Sequence, residues 1–155
     1  MVSIDRERLV KQVASDEGFT AKPFWDIKQW TYGYGCKAPD EHATITKAEA
    51  EILLRVRLEQ SIKEFYEMFP GALQDKFNDV RAEAFINMLF NMGRGKKDGS
   101  TGGLYSFKNT LSLIYDYLNT DWSAVATNLR LSKWFKQVGS RAVRITNEIE
   151  RGTKE

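Results

Sequence analysis

Between residues 3 and 17 the apolar positions Ile4, Leu9, Val10, Val13 and Ala14 recur at helical spacing, separated by charged and polar residues. The pattern predicts an amphipathic helix. Ser3 reads as its N-cap, Asp5 and Glu7 fall in the positive first turn, and Gly18 is a stop signal. Glu17 is thereby placed at the helix C-terminus. The pattern then changes. Phe24, Trp25, Trp30, Thr31, Tyr32 and Tyr34 are strand formers, punctuated by Pro23, Gly33 and Gly35. A small antiparallel sheet with a tight turn near Lys28–Gln29 is predicted there, followed by a loop over 37–45.

Thr46-Lys47-Ala48-Glu49 is a capping box. It opens a long helix whose apolar set reads Ile52, Val56, Leu58, Ile62, Phe65, Tyr66 and Phe69, and Pro70-Gly71 ends it. At about 1.5 Å per residue, some 20 residues span about 30 Å, enough to join two lobes. From Val80 to Met92 the chain is apolar nearly all round, as in a helix buried at the centre of a lobe. Residues 93–103 hold five glycines with Lys96 and Lys97, and read as a mobile loop. Helical patterns resume at 107–118, 121–128 and 140–150. No internal repeat is present.

At 155 residues the chain suits one domain with a real core, and 42% hydrophobic with 28% charged residues is ordinary for a globular protein. The formal charge of +2 is a mild basic bias. It suits an anionic partner without choosing between cell-wall polymer and nucleic acid. Cys36 is the sole cysteine and His42 the sole histidine, so there is no internal disulfide and no Cys/His zinc site. No cofactor or metal is expected. The first seven residues carry acids and no apolar run, unlike a secretory signal, and no stretch is long enough for a membrane span. The expected location is the cytoplasm.

The chemistry concentrates in Glu17, Asp26 and Thr31-Tyr32-Gly33-Tyr34-Gly35. Splitting a glycosidic bond needs an acid to protonate the leaving oxygen and a second carboxylate across the sugar. The negative end of a helix, with an apolar wall such as Phe19, favours the neutral acid. That assigns the acid to Glu17, the ionised carboxylate to Asp26, and the positioning of a water to the Thr31 hydroxyl. Composition alone leaves Glu17 as an ordinary solvated residue at a helix end.

Glu17-Gly18, Asp26 nine residues on, and Thr31 followed by Gly33-Tyr34-Gly35 resemble the catalytic signature of the phage-type lysozymes, or endolysins. Residues 80–93 resemble that family's buried central helix. Ser132–Gln137, with Arg141 after it, resembles its C-terminal lobe. The resemblance implies an α+β, mostly α, lysozyme-like fold. A small α/β N-terminal lobe over about 1–45 and a larger helical lobe over about 67–155 are joined by a helix over 46–69, all within one domain. It further implies a glycan-holding cleft between the lobes, with Phe90, Thr110 and Asn128 binding sugar. The implied reaction is hydrolysis of the bond between N-acetylmuramic acid and N-acetylglucosamine, with inversion, leading to host lysis. The substrate partner is bacterial peptidoglycan, and a monomer without nucleic-acid or stable membrane association is expected. Two departures stand out. The family pattern has one more residue, and a glycine, between the aspartate and the threonine. Many relatives have histidine where this chain has Cys36, so an ion pair at that position is expected to be missing.

Other readings compete. A lytic transglycosylase uses one acid and ends in an anhydro sugar, whereas Asp26 with Thr31 favours attack by water. A wall peptidase would use Cys36 with His42, yet nothing between them looks like a base-orienting arrangement. A non-catalytic glycan-binding module would have no need of Glu17 and Asp26. A nucleic-acid binder would show a concentrated basic face, which is lacking. Gly93–Gly99 has the wrong spacing for a P-loop, and no strand precedes it.

Overall fold

The computed structural model describes residues 1–154. They form two compact units, one of Arg6–Gln60 and one of Met1–Asp5 with the chain from Ser61 onward.

In the first unit, α1 spans Arg6–Glu17 and buries Leu9, Val10 and Val13. Gly18 ends it with φ +70° and an N–H bonded to the Ala14 carbonyl at 3.0 Å. With Ser3 as cap the helix would begin at Ile4; it begins two residues later, at Arg6, and Ser3 is not its cap. The Ser3 N–H instead donates to Asp79 Oδ1 at 2.8 Å, because residues 1–5 belong to the other unit.

Three antiparallel strands follow in the order β1 (Thr20–Asp26), β2 (Gln29–Gly33) and β3 (Cys36–Lys37). Asp26 pairs with Gln29, so the turn is Ile27-Lys28, one residue earlier than expected. Such a tight hairpin needs a left-handed residue, and Ile27 supplies it at φ +49°. Nearer the strand start, Thr20 faces Gly33 while Phe24 faces Thr31. Four steps of β1 thus match two of β2, an irregularity that contains Pro23.

Helix α2 spans Lys47–Met68, and the boundary between units falls inside it. Its capping box closes as read: the Thr46 N–H donates to Glu49 Oε1 at 3.0 Å, and the Glu49 N–H donates to Thr46 Oγ1 at 3.1 Å. These bonds hold the Glu49 carboxyl below the usual carboxylate range. The buried stripe is not the expected one. It runs through Ala50, Leu54, Leu58, Ile62, Phe65 and Phe69, in steps of three or four. Ile52 and Val56 lie two positions off that stripe, on the opposite side of the helix, and are 63% and 66% exposed.

The second unit is helical. Its centre is α3 (Asp79–Met92), in which every residue from Ala82 to Phe90 is buried. Asn78 caps it by accepting from the Arg81 N–H. Around it stand α4 (Lys108–Tyr115), α5 (Trp122–Arg130), α6 (Lys133–Val138) and α7 (Ser140–Arg151), with α7 against α3 and α5. The core is aromatic. Phe77 meets Phe69 at 4.7 Å, Phe85 at 5.4 Å and Trp122 at 5.0 Å between ring centres. Full burial of each such side chain contributes about 1.5–3 kcal/mol. Arg81 lies over Trp122 and donates to the carbonyls of Ile149 at 2.6 Å and Glu150 at 2.9 Å, fastening the end of α7.

The glycine-rich segment departs from the mobile loop predicted for it. Leu104 and Tyr105 donate backwards to the carbonyls of Gly93 and Arg94, and the Lys96 N–H donates to Thr101 Oγ1 at 2.8 Å. Gly95 and Gly103 are there for close approach: a Cβ on Gly95 would stand 2.0 Å from the Gly102 carbonyl oxygen, and one on Gly103 would stand 2.4 Å from the Gly95 nitrogen. Arg94 ion-pairs with Glu67 and so ties the loop to the end of α2.

The hairpin turn generates a prediction. A β-branched residue in the left-handed region costs about 1–2 kcal/mol, and Ile27, 85% exposed, recovers little of that by burial. Ile27→Asn is expected to stabilise the fold by about 0.5–1 kcal/mol, because asparagine tolerates that conformation. Urea unfolding should show a higher midpoint at an unchanged slope. A lower midpoint would show that the isoleucine contributes more than its backbone costs.

Candidate active site

Within the first unit, Glu17 closes α1 and its half-buried carboxyl lies against the turn after β2. A Cβ placed on Gly35 would stand 2.7 Å from Glu17 Oε1. Gly35 has φ +78° as well, so both space and backbone call for glycine. Arg57 of α2 reaches the same turn: its Nη1 donates to the Gly35 carbonyl at 3.0 Å and to the Tyr34 carbonyl at 3.5 Å. Phe19 stands against Tyr34 with ring centres 5.6 Å apart, which puts an aromatic wall on the chain leaving Glu17.

The hairpin register settles which face each strand residue takes. Asp26 opposes Gln29, and Phe24 opposes Thr31. Asp26 and Thr31 are therefore diagonal neighbours on one face of the sheet, a relation in which side chains lie within reach of each other. Trp25 and Trp30 take the other face and pair edge-to-face at 5.5 Å. Shortening the segment between the aspartate and the threonine has kept the two on one face, because the turn closes at Ile27-Lys28. Asp26 is exposed, whereas Thr31 is 2% exposed and its Oγ1 makes no hydrogen bond to protein. A buried hydroxyl is normally satisfied, and the hydroxyls of Thr20 and Thr120 share this exception with Thr31.

Cys36 pairs with Tyr32 in the sheet and is buried. The His42 side chain is 85% exposed, with Nε2 3.2 Å from Glu41 Oε1. The imidazole thus sits at the surface beside a carboxylate, whereas the thiol is buried. Among the described residues no group of three or more His, Cys, Asp or Glu side chains is arranged to hold a metal ion, and no helix is long and apolar enough to cross a membrane.

In the second unit, Thr110 is buried and its hydroxyl donates to Asn128 Oδ1. Both line a recess of about 660 Å³, with Phe107, Lys133, Trp134 and Gln137. Trp134, which helical spacing assigned to the core, is buried but also lines this recess and donates from Nε1 to Asn91 Oδ1 at 3.1 Å. Phe90 is buried in α3 and is not part of the recess wall. Arg141 donates from Nε and Nη2 to Asn87 Oδ1, at 2.9 and 2.7 Å. A second recess, of about 570 Å³, holds none of the predicted residues. In its wall, burial pushes the Tyr115 hydroxyl up to about 12, and that hydroxyl donates to the Met68 carbonyl.

Arg57 is the site residue that sequence reasoning missed. It sits between Val56 and Leu58 in a helix rich in charge, with nothing local to mark it.

Compared with known protein families, the chain matches the phage lysozyme family over residues 14–147. The matched span takes in Glu17, the sheet, α2 and all but the end of α7. The chain belongs to the phage lysozyme family, glycoside hydrolases that act on peptidoglycan.

Proposed function

We propose that this chain is an inverting muramidase that lyses its host cell by cutting the β-1,4 bond between N-acetylmuramic acid and N-acetylglucosamine. One observation carries the reading: a single folded unit offers a carboxylic acid at the end of α1 and, from the adjoining hairpin, a carboxylate and an orphan hydroxyl on one sheet face. Glu17 donates its proton to the glycosidic oxygen as the C1–O bond breaks. Asp26 takes a proton from a water that attacks C1 from the opposite face, and Thr31 Oγ1 shares that water. The hydroxyl from water ends on C1 with inverted configuration. Such a mechanism calls for carboxyl groups about 6.5–9.5 Å apart, whereas a retaining pair stands at about 5–5.5 Å.

Thr110, Asn128 and Phe90 are assigned to sugar binding. The hydrogen-bonded Thr110–Asn128 pair in a recess wall supports the first two, as polar groups ready to meet hydroxyl or N-acetyl groups. The protein acts as a monomer on peptidoglycan, without nucleic acid. It accumulates in the host cytoplasm until it reaches the wall, a reducing compartment that suits a fold without disulfides.

Three outcomes test the reading. Glu17→Gln is expected to lower wall clearing at least about a hundredfold while the fold, followed by circular dichroism, is kept. Near-parental clearing by the folded variant would take Glu17 out of the mechanism. Cys36→Ala is expected to keep most of the activity, as is the parent after treatment with a thiol alkylator. Loss of activity in a folded variant would favour a thiol peptidase. Finally, NMR of the first-formed reducing end should show the α-anomer. Initial β-anomer would refute inversion and leave hydrolysis standing, while an anhydro sugar with no reducing end would indicate a transglycosylase.

A further inference from the structure

We infer that Arg57 is a positioning residue for the catalytic acid, holding the Tyr34–Gly35 turn where it meets Glu17. This inference rests on the reading of Glu17 as the acid. Three observations combine. The Arg57 Nη1 is 3.0 Å from the Gly35 carbonyl oxygen and 3.5 Å from that of Tyr34, so one cation grips two successive peptide groups. The charge on the guanidinium strengthens a bond of this kind relative to a neutral one. Next, Gly35 presents bare backbone to the acid. The point where a Cβ would sit is 2.7 Å from Glu17 Oε1 and 3.7 Å from Arg57 Nη1. A shift of that backbone therefore acts directly on the carboxyl, with no side chain between to absorb it. Lastly, Arg57 itself has a fixed base. It lies between Leu54 and Leu58 of α2, which are 0% and 2% exposed.

The same residues border a recess of about 480 Å³, where Gly35 and Arg57 are joined by Gln29, Cys36, Leu53 and Val56. Arg57 thus reaches the turn from α2, along the edge of this recess. In this scheme Arg57 acts on Glu17 through the turn it grips. It sets the direction of the acid, and general acid catalysis is steep in direction: a misplacement of about 1 Å can cost about a hundredfold.

The test uses the full chain and a soluble peptidoglycan oligosaccharide, with kcat and KM measured for the parent, Arg57→Met, Arg57→Lys and Glu17→Gln, and for the double variant of Glu17→Gln with Arg57→Met. Methionine keeps an unbranched aliphatic stem and removes the guanidinium with all its donors. Arg57→Met is expected to lower kcat by about 10- to 100-fold with KM within about twofold of the parent. Lysine reaches with a single ammonium, so Arg57→Lys should fall between the two. In the Glu17→Gln background, Arg57→Met should cost nothing further, because the group it positions no longer donates a proton. An unchanged kcat in a folded Arg57→Met overturns the inference. So does a raised KM at constant kcat, which would make Arg57 a substrate ligand. An additive loss in the double variant overturns it as well. If Arg57→Met does not fold, Arg57→Lys decides: reduced kcat at parental KM supports the brace, and parental kcat refutes it. Should Glu17→Gln itself be fully active, the reading of Glu17 as the acid fails and the inference falls with it; a dead Glu17→Gln beside a normal Arg57→Met removes only the brace.

Discussion

The contact between the Glu17 carboxyl and the bare backbone of Gly35 is the constraint on which the first unit turns. A helix must end at residue 17, and Gly18 ends it by taking a left-handed conformation that a side chain would resist. The chain must then run out through β1 and return along β2 so that residue 35 comes back to the helix end. At that point there is no room for a Cβ and no tolerance for an L side chain at φ +78°. The hairpin that makes this return also presents Asp26 and Thr31 on one face. One geometry thus holds all three groups: displacing the turn moves the Glu17 carboxyl, and misregistering the hairpin separates Asp26 from Thr31.

Helix α2 enters this arrangement through its starting point. The reciprocal bonds of Thr46 and Glu49 set its first turn, and from there its pitch determines which residues look toward the unit's core. Gly33 shows how close the approach is, since a Cβ on it would stand 3.1 Å from that of Ala50. With Ala50, Leu54 and Leu58 buried, Arg57 is carried round to the Tyr34–Gly35 turn. An arginine there, with a buried cysteine on β3, uses backbone carbonyls as partners. The carboxyl of Glu17 thereby lies beside a turn gripped by a cation.

The second unit is held by a different principle. Its aromatic cluster of Phe65, Phe69, Phe77, Phe85 and Trp122 surrounds α3, whose middle has no exposed side. Several polar groups inside it are bonded to one another or to backbone. Asn87 accepts from Arg141, Thr146 bonds back to the Ala142 and Val143 carbonyls, and Arg81 crosses to the end of α7. Burial holds the Arg81 guanidinium below its usual range, a cost offset by two carbonyls and the face of Trp122. On such a core the hydrogen-bonded Thr110–Asn128 pair stands in the wall of a recess.

Much of this was legible along the chain because it depends on near neighbours. The ends of α1 and α3 at glycine, the capping box at Thr46, the apolar run of α3 and the spacing of Glu17, Asp26 and Thr31 are local signals, each with a local cause. Tertiary structure decided the rest. Ser3 looked like a helix cap until Asp79, 76 residues away, claimed its N–H. Ile52 and Val56 fit a helical period as well as Leu54 and Leu58 do, and only packing selects which stripe is buried. Five glycines suggested mobility, but in three dimensions Gly95, Gly99 and Gly103 allow backbone to approach backbone, and the loop closes on itself. Arg57 meets Gly35 across 22 residues. No local pattern encodes that meeting, because it depends on the pitch of one helix and the register of a separate hairpin, and a long-range contact exists only once both have formed.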